Sequence, residues 1–190
     1  MMAGAPGPLL LDACCVINLF GSKREAEILA ALEQPVAVAA HVADDEALYV
    51  YSGPPDNIRQ SKEPIRFDAL IQQGLVTVAS LAGEREPEMF VRLAAALDDG
   101  EAMTAAIAVE RGWAIATDDG RAINYLAAHY PAVNIVTTPA LLRRWVEARQ
   151  PAAREVRDTL EAVRLRANFA IGPKHSLYAW WQSWLTREQS

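Results

Sequence analysis

Residues 98–120 read DDGEAMTAAIAVERGWAIATDDG, and they hold one complete unit of a layered fold. Asp98-Asp99-Gly100 is a turn, and Glu101 opens an Ala-rich helix that runs to Arg111 and closes on Gly112. Trp113 to Thr117 is a short apolar strand that stops at Asp118-Asp119-Gly120.

Working outward, the same alternation repeats. Upstream, Leu9-Leu10-Leu11 is a first strand ending at Asp12, followed by helices over 14–20 and 23–32. A second strand covers 36–40, a helix 42–51 and a loop 52–57. A helix over 65–73, capped by Gly74, leads to a third strand over 75–81 and a helix over 86–97. Downstream, a helix over 121–130 precedes a fifth strand over 133–136, and the rest is helical with breaks at Pro151 and Gly172-Pro173. Strands regularly separated by helices predict an α/β fold, a three-layer α/β/α sandwich with a mainly parallel central sheet. Residues 1–142 form its body, and 143–190 a C-terminal helical extension packed on the same domain.

Composition narrows the class. The chain has 190 residues, 52% hydrophobic and 22% charged, which excludes disordered and collagen-like classes. Cys14 and Cys15 are adjacent, so an ordinary disulfide between them is not expected, and the compartment reads as reducing and cytoplasmic. No stretch reads as a membrane span, and residues 1–11 lack the basic start of a secretory leader. The net charge of −6 argues against nonspecific nucleic-acid binding by charge alone. Its distribution is uneven: residues 1–139 carry 9 basic and 19 acidic side chains, residues 140–190 carry 9 and 5. Arg supplies 15 of the 18 basic residues, and its planar fork suits phosphate.

Ligands of parallel sheets sit beyond the carboxyl ends of the strands, and that rule selects acids. Asp12 ends the first strand; Asp118 and Asp119 end the fourth. Glu101 starts the Ala-rich helix and Glu46 lies early in the helix after the second strand, so both belong to the same edge. Each alone is an ordinary turn or cap residue. Together they repel, and a cation would neutralise them. Hard oxygen donors, with no His or Cys expected nearby, suit Mg²⁺ or Mn²⁺ and not zinc; such ions activate water and stabilise phosphoryl displacement.

The run Gly100-Glu101-Ala102 to Ala108, then Gly112 and Thr117-Asp118-Asp119, resembles the PIN-domain nucleases of the VapC-type toxin ribonucleases. Leu9 to Asp12 and Ala40 to Glu46 resemble the segments carrying that family's first and second acids; the likeness spans about residues 9–142. The resemblance implies a PIN-like fold, Mg²⁺- or Mn²⁺-dependent cleavage of RNA, and a toxin held by a small antitoxin. It carries over Asp12, Glu46, Glu101 and Asp119 as catalytic acids, with Asp118 an auxiliary metal ligand and Asp45 the rival of Glu46. One departure stands out: the family usually has Ser, Thr or Asn just after the first Asp, where this chain has Cys14 and Cys15, with Thr104 or Thr117 available to compensate.

Arg121, two residues past Asp119, and Arg143 and Arg144 are the expected grips on the RNA backbone. His41, His129 and His175 form no ligand pattern, and Cys14 and Cys15 read as core. Leu177, Trp181 and Trp184 share a helical face that fits packing onto the domain or onto a second copy in a homodimer, with base stacking and an antitoxin groove as the alternatives. Two rivals remain. A phosphatase or receiver is disfavoured by Cys14 where a second Asp belongs and by the lack of any Lys between Lys62 and Lys174. A catalytically inactive PIN-like binding module is the alternative of a different class.

Overall fold

The computed structural model describes residues 7–186. Residues 1–6, part of the start read as lacking a leader, and 187–190, the end of the C-terminal extension, lie outside the described residues. In chain order the first elements are β1 (Leu9–Leu11), α1 (Ala13–Gly21), α2 (Glu25–Ala30), β2 (Val36–Ala39), β3 (Tyr49–Tyr51), β4 (Lys62–Pro64), α3 (Asp68–Gln72) and β5 (Thr77–Ala79). They are followed by α4 (Arg85–Leu93), α5 (Asp99–Arg111), β6 (Ala114–Ala116), α6 (Gly120–His129), β7 (Ile135–Val136), α7 (Thr138–Arg149), α8 (Ala153–Arg166) and α9 (Tyr178–Leu185).

The fold is α/β: a five-stranded parallel sheet flanked by helices, consistent with a three-layer α/β/α sandwich. The strand order is β5-β2-β1-β6-β7, and all four pairings are parallel. Every residue of β1 and β2 is buried, as strands covered on both faces must be. Helix α5 lies on β1, β2 and β6 through Ala102, Ala105, Ala106, Ile107 and Ala108, none more than 1% exposed. Its small side chains let the helix axis approach the strands closely. Gly112 ends α5 at φ 65°, a left-handed cap that only Gly adopts without strain.

The chain divides into two compact units. The first runs to Val16 and adds Glu33–Leu48 and Arg66–Thr137, and so holds the five-stranded sheet. The second joins Ile17–Leu32 and Tyr49–Ile65 to the chain from Thr138 onward. Within the second unit, α2 packs on α7, and α8 packs on α9 and β3. Trp145 and Trp181 are each 1% exposed there, and Phe169 meets Trp181 edge-on with ring centroids 6.0 Å apart. Among the described residues, no helix is long and apolar enough to cross a membrane.

Two sequence expectations need correction. Residues 42–51 are not one helix: a π-helical turn, Val42–Glu46, ends at Ala47, and Tyr49–Tyr51 pairs antiparallel with Lys62–Pro64. The β-branched and aromatic run Tyr-Val-Tyr prefers the extended backbone. Glu101 is also not the first residue of its helix. Asp98 has extended backbone at φ −70° and ψ 160° and takes the N-cap, which puts Glu101 at the third helical position.

Candidate functional site

Register makes the first contact. Leu11 pairs with Ala116, and the Asp12 N–H donates to the Ala116 carbonyl at 2.9 Å, so the chain leaves β1 at Asp12 beside Thr117 leaving β6. The strand order also reverses here, with β2 and β5 on one side of β1 and β6 and β7 on the other. The carboxyl ends flanking such a reversal are where open parallel sheets bind ligands.

Asp12 is 4% exposed. Its Oδ1 accepts the Ala13 N–H at 2.9 Å, and its Oδ2 accepts the Thr117 hydroxyl at 2.9 Å and the Cys14 thiol at 3.4 Å. Burial pushes the Asp12 carboxyl above its ordinary value; the three hydrogen bonds offset part of that, and the charge of Asp119 adds to it. Among the described residues Asp12 has hydrogen-bond donors but no cationic partner.

Glu101 reaches the same region from α5. Its Oε2 accepts the Asp98 N–H at 3.2 Å, the reciprocal bond of a helix start, and Arg121 Nη2 at 3.3 Å. Burial raises its pKa, the Asp98 N–H opposes, and the charges of Asp119, Asp12 and Asp98 raise it further. Glu46 comes from the π-helical turn, which packs on both β2 and α5. A Cβ added to Gly100 would collide with the Glu46 carboxylate, which is held by the Gly100 N–H. Burial raises Glu46, His41 opposes, and the charges of Asp12 and Asp98 add to the rise.

Asp119 caps α6, accepting the Ala122 N–H at 2.8 Å, while its own N–H donates to Thr117 Oγ1 at 3.2 Å. The plain helix-cap role is therefore real, and its charge still acts on Asp12 and Glu101. Asp118 turns elsewhere: the Cys15 thiol donates to its Oδ2 at 3.4 Å, and its N–H donates to Cys14 Sγ at 3.2 Å. Of the two hydroxyls expected to order the first acid, Thr117 donates to Asp12, and Thr104 is buried with no hydrogen-bond partner. Asp45 is 66% exposed and meets His41 Nδ1 at 3.0 Å, so Glu46 is the acid of that segment that couples to Asp12.

Arg121 is engaged by Asp98 at 2.8 Å as well as by Glu101. Arg143 and Arg144 belong to α7 in the second unit, where Arg143 pairs with Glu147 at 2.7 Å. Sequence reasoning missed two neighbours of the acids. His41 lies on Glu46 at 3.6 Å, and its four-residue spacing from Asp45 was the legible signal. Cys14, read as core, is a hydrogen-bonding partner of Asp12.

Asp12, Glu46, Glu101 and Asp119 thus share one electrostatic neighbourhood without packing tightly. Among the described residues, the set of three ligand atoms that lies within 4.8 Å of one another is instead Cys14, Cys15 and Asp118. The chain matches no protein-family model, no curated protein and no solved structure.

Proposed function

We propose that the chain is a divalent-metal-dependent endoribonuclease, hydrolysing RNA phosphodiester bonds in the cytoplasm in the role of a toxin restrained by a small antitoxin. One observation carries this reading: three carboxyl groups from three separate segments, Asp12, Glu46 and Glu101, are each raised by burial and by the charge of neighbouring acids. Convergent acids with perturbed pKa values at the carboxyl ends of a parallel sheet are candidates for a functional site.

The donor set fits Mg²⁺ or Mn²⁺. It offers carboxylate oxygens, and their loose spacing suits an ion that keeps several waters and takes few carboxylates directly. Asp12, Glu101 and Asp119 would hold the ion, with Asp118 beside them as an auxiliary acid. Bound there, such an ion supplies Lewis-acid polarisation of a phosphate oxygen and acidifies a water. Thr117 and Cys14 fix the Asp12 carboxylate through their bonds to Oδ2. Glu46, raised by burial, accepts the proton of the attacking water. Arg121 exchanges an acid for the phosphate of the RNA backbone, and Arg143 and Arg144 bind backbone phosphates as exposed cations. Cys14 and Cys15 are not in a disulfide, which suits a reducing compartment.

One feature favours the alternative of an inactive PIN-like binding module: Glu101 Oε2 is already engaged by Arg121 and by the Asp98 N–H. Incubation with defined RNA and DNA pools, in EDTA and in Mn²⁺, separates the two. RNA cleavage only with the ion is expected. Binding of RNA without cleavage in any ion would establish the binding module, and preferential cleavage of DNA would overturn the substrate assignment.

A further inference from the structure

We propose that Cys14, Cys15 and Asp118 form a metal site for a thiophilic divalent cation of the Zn²⁺ class, which borders the carboxylate site through Asp118 and Cys14 but does not depend on the nuclease reading. The two Sγ atoms and a carboxylate oxygen lie within 4.8 Å of one another, and Cys15 Sγ is 3.4 Å from Asp118 Oδ2. With metal–sulfur and metal–oxygen bonds of about 2.3 and 2.0 Å, a tetrahedral edge is about 3.5 Å, so these atoms need little movement to share one ion. Thiolates select Zn²⁺, Co²⁺ or Cd²⁺ over Mg²⁺, whose preference is oxygen.

The surroundings supply what such a site requires. The Asp118 N–H points at Cys14 Sγ at 3.2 Å, in place to support a sulfur that carries negative charge in the complex. Both cysteines lie in the first turn of α1, where the helix dipole favours anionic ligands. Cys14 is partly exposed, which gives the ion a way in, while Cys15 is fully buried and fixed. Binding forms two metal–sulfur bonds and one metal–oxygen bond and releases one proton from each thiol to solvent; a water completes four-coordination. The Cys14 proton now given to Asp12 Oδ2 leaves in this step, so filling the thiol site removes one of the bonds that hold Asp12.

The test is anaerobic titration of the reduced full chain with Co²⁺ alone. A thiolate-to-cobalt charge-transfer band saturating at one equivalent is expected, lost in Cys14→Ser and in Cys15→Ser and retained in Asp12→Asn. Cobalt on carboxylates alone gives no such band, so a failed nuclease reading and a failed thiol site are told apart. Absence of the band in the wild type, or its survival in both cysteine variants, overturns the proposal. Should Cys15→Ser not fold, alkylation of the wild type decides. Zn²⁺ is expected to abolish iodoacetamide labelling of Cys14 relative to EDTA while Mg²⁺ leaves it unchanged. Equal labelling in Zn²⁺ and EDTA, or equal protection by Mg²⁺, overturns it.

Discussion

Glu86 and Asp12 are both buried acids of the sheet-bearing unit, 7% and 4% exposed, and the chain treats them in opposite ways. Glu86 is given a cation. Arg111 grips it through Nε at 2.7 Å and Nη2 at 2.8 Å, the Ala82 N–H adds a bond at 2.7 Å, and the Arg111 hydrogen bonds hold its carboxyl below the ordinary range. Asp12 is given hydrogen bonds and a neighbouring acid, and burial leaves its carboxyl raised. A carboxylate that only cements the fold is neutralised from within. On the proposed reading, an acid left uncompensated among others of its kind takes its counter-ion from a bound cation.

The sharpest break of this contrast is catalytic. Asp12→Asn should reduce Mn²⁺-dependent RNA cleavage to background while circular dichroism stays native, because the amide keeps the shape and loses the charge. Glu86→Gln should leave cleavage measurable in the folded fraction. Full activity in Asp12→Asn would erase the distinction.

Next in size is the response to an ion. A cation that binds only the folded arrangement adds about 2.7 kcal/mol at a hundredfold excess over Kd. Wild type should therefore melt higher in Mn²⁺ than in EDTA, and Glu101→Gln should lose most of that rise. Equal shifts in both proteins would remove Glu101 from the site.

In EDTA the two classes of acid should part in sign. Glu86→Gln strips a bidentate charged pair and should cost about 2 kcal/mol. Glu101→Gln relieves repulsion from Asp119 and Asp12 and should melt at or above wild type. Urea denaturation of the three proteins measures both.

The pH dependence carries the same signs. Raised carboxyls in the folded state mean that charge is held at a cost above both pKa values, and protonation relieves it. Metal-free wild type should accordingly gain stability, relative to an Asp12→Asn Glu101→Gln double variant, as pH falls from neutrality toward the ordinary values of 3.8 and 4.5. Glu86 behaves oppositely: its contribution is present above its ordinary 4.5 and is lost as pH falls through its lowered value. A flat difference between wild type and the double variant would show that burial and neighbouring charge do not raise these carboxyls.

The sheet was legible because each of its strands is a short apolar run bounded by turn residues, Leu9–Leu11 and Val36–Ala39 most plainly. Asp12 and Asp119 were legible for the same reason: the residue that ends a strand is fixed by the strand. The hairpin of β3 and β4 was not, since Lys62-Glu63-Pro64 has nothing strand-like in composition and gains its extended form only from Tyr49–Tyr51 across from it. The thiol corner was hidden for a related reason. Nothing local tells that Cys15 will meet Asp118, which is 103 residues away and arrives beside it only because β6 pairs with β1.

Gly100 offers the smallest and most selective change. It lies in α5, where Ala is the better helix former by about 1 kcal/mol, so Gly100→Ala should favour the helix. The three atoms nearest the added Cβ all belong to the far end of the Glu46 side chain, which can rotate away without disturbing the backbone. Stability should thus change by less than about 1 kcal/mol in either direction. What the substitution removes is the seat of the Glu46 carboxylate on the Gly100 N–H. Cleavage should fall while the Mn²⁺ melting shift, carried by Asp12, Glu101 and Asp119, persists. Loss of both together would place Glu46 among the ligands of the ion, and unchanged cleavage would take Glu46 out of the chemistry and leave it as a partner of His41.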